Sequence, residues 1–394
     1  GNINAGPGGY LTLIGHNIQN QGSLSAPGGT VGLFAGDTVS LNLSSANGTI
    51  PLVSAATNAD ARISQSGTID AAGGSVQLIS YNVGGKGSNI HTNPLANTIV
   101  LDQSGTINNS GGTILLDGGQ TGINQHSGNI STENPHGRGG DITLLRDEIG
   151  LLANSKIEAS GSQGGGTVLI GGNWQGQGPQ PHASAVYMDP SAMLKANAQQ
   201  QGSGGKVVLW SNDYTGFYGQ IQAKGGSLGG DGGQVETSSH DNLQAMGRVD
   251  VSAPFGTSGN WLLDPANVTI QTGGAGVLTG NVFNPASDAT IDPATISSAL
   301  TNGSTVTITA SCAPCASNST KGNIVIANSI NRVATGTATL NLNADASITM
   351  NTGVSITSTT GNPLNITMSA ANGESANILL PTGGQTISTF GGAI

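Results

Sequence analysis

Charge is scarce in this chain: only 8% of its 394 residues are Asp, Glu, Lys or Arg. A compact enzyme of this length carries about 25%. Aromatic residues are scarcer still, at 3%. A globular core leans on Phe, Tyr and Trp for buried area, so this core is expected to be thin and aliphatic. Basic residues are outnumbered, 11 against 21 acidic ones, for a net charge of −10. That balance disfavours nucleic acid and anionic membrane surfaces, both of which need Lys and Arg. No run reaches the ~18 apolar residues of a membrane span. Cysteine is nearly absent, with two residues, Cys312 and Cys315. The chain opens at Gly1 in mid-pattern, as a piece of something larger would.

What is abundant is glycine, 64 residues, set in an ordered pattern with Val, Ile, Leu and Ala. Such order argues against a solvated low-complexity tail. One unit is Gly-Gly-x followed by two aliphatics separated by one residue. Gly8-Gly9 precedes Leu11 and Leu13, Gly28-Gly29 precedes Val31 and Leu33, and Gly73-Gly74 precedes Val76 and Leu78. The pattern returns at Gly111-Gly112, Gly139-Gly140, Gly165-Gly166 and Gly204-Gly205. Gly232-Gly233 keeps Val235 but has Thr237 at the second aliphatic site. A second unit runs turn-x-aliphatic-x-Ala, as in Gly22–Ala26, Gly67–Ala71, Ser155–Ala159 and Gly219–Ala223. Gly105–Asn109 and Gly247–Val251 are variants of it.

Both units alternate with period two, so each reads as a short strand with one buried face. Glycine between them permits a sharp corner. Strands of this length at this spacing predict an all-β fold, a parallel β-helix (solenoid) with short extra-helical hairpins or loops. About 18–20 coils would make a rod on the order of 90 Å. Propellers and sandwiches fit the repeat less well, and helices are nearly excluded. The one helix-like patch is Asp189–Ala198, whose Met193-Leu194-Lys195 reads equally as a strand. Residues 1–259 are expected to form the shaft with the Gly-Gly repeat. Residues 260–394 are expected to continue it in Thr- and Asn-rich coils, with a kink or insertion near 271–300.

The order of several segments resembles a known family. These are Gly204–Ser211, Phe217–Gly226, Gly230–Ser238, Trp261–Ile270 and, upstream, Leu169–Gly176 with Trp174. Together they are similar to filamentous-haemagglutinin-like exoproteins of two-partner secretion systems, including high-molecular-weight adhesins. The resemblance covers roughly 139–270 best. It implies a right-handed β-helix, export through an outer-membrane β-barrel transporter, and adhesion at the bacterial cell surface. The quoted segments match the shaft of such a protein rather than its ends.

Few residues suggest chemistry. Cys312-Ala-Pro-Cys315 can be a redox motif, half a metal site or a small disulfide loop. It follows a strand-like run and has no further ligands nearby, which favours a disulfide in an oxidising compartment. Gly229-Gly-Asp-Gly-Gly233 resembles one copy of a Ca²⁺-binding repeat that needs tandem copies, so a corner is expected. Asp141, Asp147 and Glu148 form the densest acidic patch, read as a solvated face beside Arg146. The six His are scattered, without metal spacing. Trp174, Tyr187, Tyr214 and Tyr218 either stack on sugar rings or cover the flank of the solenoid. The second reading is favoured because Trp210 and Phe217 lie within the family-like frame. Asn-x-Ser/Thr triplets at Asn42, Asn267, Asn318 and Asn365 are what so Asn-, Ser- and Thr-rich a chain produces by chance.

No catalytic, metal or cofactor site is expected. The expected function is a secreted or surface-bound adhesin shaft that meets a polysaccharide or protein receptor. The alternatives are a carbohydrate-active β-helix enzyme and the stalk of a contact-dependent toxin carrier.

Overall fold

The computed structural model describes residues 1–36, 39–41, 52–54, 61–80, 99–120, 122–273, 289–311, 321–333, 336–359, 361–370, 376–380 and 382–394. They form a parallel β-helix. Coils contribute strands to three faces, and strands pair in parallel with their counterparts in the coils before and after.

The first face is built by the strands that follow the Gly-Gly pairs. It climbs from Tyr10–Gly15 through Thr30–Ala35, Ser75–Ser80, Thr113–Asp117 and Asp141–Leu145 to Leu364–Ala370. The second face starts at Asn17–Asn20 and passes through Arg62–Gln65, Ile99–Gln103, Ile123–His126 and Glu148–Leu151. One long strand, Lys206–Phe217, bends across both, so the two faces count as one 24-stranded sheet. The third face is a 9-stranded sheet of three-residue strands. Its central residues Leu24, Ile69, Ile107, Ile130, Ile157, Leu194, Ile221 and Val249 stack in register and are buried. This is the turn-x-aliphatic-x-Ala unit seen in the sequence. An antiparallel pair outside the stack, Val39–Leu41 with Leu52–Ser54, is one of the expected extra-helical hairpins.

The second glycine of each pair sits where coils touch. A Cβ on Gly74 would lie 1.9 Å from the Gly29 carbonyl oxygen, and one on Gly166 would lie 2.0 Å from that of Gly140. The glycine ladder is therefore imposed by contact between coils. Only the early pairs also need a left-handed first glycine, as at Gly28 with φ 66°.

The core is aliphatic, with Phe217 and Trp261 the aromatic members of its main cluster. Their rings meet edge to face at 6.2 Å. Thr237, which interrupts the aliphatic pattern, is fully buried and accepts a hydrogen bond from the Trp261 indole nitrogen at 3.0 Å. Asn109, in the place of the usual Ala, is satisfied by Gly74 and Thr113 backbone groups.

Two expectations change. The described residues make about a dozen coils rather than 18–20, a stack on the order of 55 Å. Loops and excursions between strands consume the difference: Thr30 pairs with Ser75, 45 residues later. The helix-like patch holds a strand, Met193–Lys195, while a true α-helix occupies Pro293–Thr301. Asp292 caps that helix by accepting from the Ala294 amide, and Pro293 opens it. The helix packs against Arg248–Asp250 and Ile330–Arg332, so it fills the place of a third-face strand. Ile296, Ala299 and Leu300 supply the apolar contact. Beyond it the third face resumes as Ile330–Arg332, Ser355–Ser358 and Thr386–Ser388. In the same region Thr290–Ile291 slots between Asn242–Ala245 and Val268–Ile270, out of chain order.

Candidate functional site

On a strand of the first face every second side chain points outward. At Gln234–Ser239 the outward Glu236 lies beside Val208 on one side and Leu262 on the other. All three are covered. A strap, residues 171–182, leaves the solenoid after Thr167–Ile170, covers Val208 and Glu236, and rejoins it at Ala183–Met188. Gly171 allows the exit with φ 77°, and its Cβ would meet the Trp210 carbonyl oxygen at 2.2 Å.

Trp174 anchors the strap. It packs on Leu169, Val208 and Trp210, and the Lys206 ammonium stands 5.6 Å from its ring centroid, within cation–π range. His182 closes the other end with its ring centroid 4.2 Å from that of Trp210. Between these anchors the Gln175 amide donates to Glu236 Oε2 at 2.7 Å, and Glu236 Oε1 has no partner. Glu236 is 0% exposed. Burial pushes its carboxyl up to about 7, against the Gln175 amide, Ser238 and Lys206, which favour the charged form. Asp264, on the next coil, is also raised by burial and receives the Ser311 hydroxyl at 3.1 Å. Sequence reasoning passed over Glu236. Its one signal was a carboxylate inside a family-like segment, at a position that alternation turns outward.

The tyrosines gather one face away. Tyr187 and Tyr214 are buried, Tyr218 is half-buried, and the Tyr214 and Tyr218 hydroxyls lie 3.1 Å apart. Burial raises the pKa of all three, that of Tyr187 to about 12. Trp174 and Tyr218 are thus the members of the quartet with surface open to solvent. Cys312 and Cys315 lie outside the described residues. The acidic patch is divided: Glu148 is buried, Asp147 accepts from Ser184, and Arg146 pairs with Asp117 of the preceding coil at 2.9 Å. Asp231 serves its corner by accepting from the Thr257 amide. Among the described residues no group of three or more His, Cys, Asp or Glu is placed to hold a metal ion, and no helix is long and apolar enough to cross a membrane.

The architecture has a counterpart among solved structures. The crystal structure of the HMW1 secretion domain from Haemophilus influenzae matches with a TM-score of 0.54 at 23% identity. The likeness is one of fold. It covers 67% of this chain and 64% of that one, so the chain spans less than two thirds of its neighbour's length. No protein-family model and no curated protein matches the chain.

Proposed function

We propose that the chain is part of a secreted, adhesin-type exoprotein of a two-partner secretion system, exported through an outer-membrane β-barrel transporter to the bacterial surface. The observation that carries this reading is the likeness to the HMW1 secretion domain over two thirds of the chain. The quoted segments of the sequence support it independently. A stack of coils projects binding surface away from the cell, and weak contacts along its flank add through multivalency. Its outer faces are polar and sparsely charged, which suits a polysaccharide or protein receptor reached by hydrogen bonds.

The reading is non-enzymatic. Glu236, raised by burial and further by Asp264, is the candidate for a glycosidase acid. Yet Glu236 is sealed under the strap, and a glycosidase acid must reach its substrate.

The test is twofold. Expression of the full gene with and without its transporter should give surface-exposed protein only when the transporter is present. Beads coated with the purified chain should adhere to cells or matrix polysaccharide that uncoated beads ignore. Surface display without the transporter would overturn the export route. Polysaccharide cleavage that disappears in Glu236→Gln would replace adhesion with catalysis.

A further inference from the structure

The repeat is broken where Pro293–Thr301 replaces a third-face strand, and a groove of about 620 Å³ lies beside the end of that helix. The volume falls within the range of roughly 300–1,000 Å³ typical of small-molecule sites. Its walls come from three successive corners, at residues 252–258, 302–305 and 336–339. In earlier coils the paired glycines press such corners together. Here Ser304 and Ala338 take the second-glycine position, and the corners remain bonded, the Thr305 amide donating to the Gly259 carbonyl at 3.0 Å and the Thr339 amide to that of Ser304 at 3.4 Å.

The chemistry of the lining is selective. No charged side chain lines the groove. Among the described residues the hydroxyls of Thr257, Thr305, Thr337 and Thr339 and the side-chain amide of Asn302 make no hydrogen bond within the chain. Phe255, flanked in sequence by the lining residues Pro254 and Gly256, is 72% exposed.

We propose that this groove is a binding subsite for a neutral oligosaccharide segment. The assignment rests on the adhesive reading for its biological role, but the chemistry is local. Hydroxyls both donate and accept, as sugar hydroxyls do, and a side-chain amide offers both groups at once. An exposed aromatic face suits the C–H side of a pyranose ring. Without a cation in the lining, a uronate or sialate carboxylate would lose water and gain no partner. A peptide fits less well, because nothing here presents an unpaired strand edge to its backbone. Single-site affinity is weak, and repetition along a bacterial surface makes up the difference.

The experiment is binding of the full chain to an array of neutral hexose and N-acetylhexosamine oligomers, with sialylated and uronate-bearing oligomers alongside. Neutral oligomers should bind and acidic ones should bind less. Phe255→Ala should weaken binding roughly tenfold, the scale of one aromatic contact. Thr337→Arg should abolish it by filling the groove. Both positions are exposed, and an unchanged circular dichroism spectrum and melting temperature would show that the fold is kept. Preference for acidic oligomers, or neutral binding untouched by both substitutions, overturns the assignment. So does the absence of neutral binding at millimolar ligand. Bead adhesion that survives Thr337→Arg would overturn the groove as the receptor site while leaving the adhesive function standing.

Discussion

A methyl group on Gly166 would fall 2.0 Å from the carbonyl oxygen of Gly140 and against the Gly139 backbone, with no flexible side chain to move. Gly166→Ala is therefore expected to cost about 3 kcal/mol, the upper range for overpacking, because two coils must separate. Chemical denaturation measures it; a loss under ~0.5 kcal/mol would mean that the corner yields. A different residue-scale effect lies inside the second face. Asn20, Gln65, Gln103 and His126 stack there in register, all buried. Burial holds the His126 imidazole down at about 4, against the help of the Gln103 and Lys156 carbonyls. The unfolded chain takes up this proton near pH 6.5, the native chain only near pH 4. His126 therefore contributes stability above pH 6.5 that is lost as pH falls to 4, about 3 kcal/mol in all. Urea titrations between pH 4 and 7 should show that slope, and His126→Gln, which copies its neighbours in the ladder, should flatten it. An equal slope in both proteins would place the acid sensitivity elsewhere.

Strands and their corners were legible as elements, because period two and paired glycines speak directly of inward faces and of contact between coils. Thr237 read as a flaw in the pattern, and only the neighbouring coil shows why a hydroxyl stands there: Trp261 donates to it. The helix at Pro293–Thr301 announced itself through Asp292-Pro293, a cap and a first-turn proline, but a repeat of strands drowned a nine-residue signal. The strap over Glu236 was not legible, since what covers an outward side chain is set by a loop's path and not by local pattern. That strap carries its own prediction. Opening it returns Glu236 to water, where its carboxyl titrates near 4.5 instead of about 7. The closed strap is thus favoured at low pH, and that advantage is lost as pH rises from 4.5 through 7, by a factor on the order of 100. Lys206 and Asp264 are the charged groups acting on it, with opposite signs. Hydrogen exchange at the Gln175 amide, corrected for intrinsic rate, should accelerate across that window. Glu236→Gln should remove the acceleration; if it persists, the strap opens for another reason.

At the scale of the whole molecule, contacts run from one coil to the next, so stability is close to a sum of nearest-neighbour interfaces. Ile3, Tyr10 and Ile14 are exposed on the first described coil, and Ile378, Leu379 and Leu380 on the last. Backbone hydrogen bonds between stacked coils lie along the axis of the rod. Tension on the two termini therefore loads these ladders in series, and coils should detach singly from an end rather than all together. Each detached coil frees on average about 32 residues, which extend by roughly 110 Å. Force spectroscopy should record a sawtooth with that spacing; one cooperative rupture would contradict it. In the adhesive role proposed above, the chain would act in flowing liquid as a line that pays out under strain, blunting each tug before it reaches the bond at the far end.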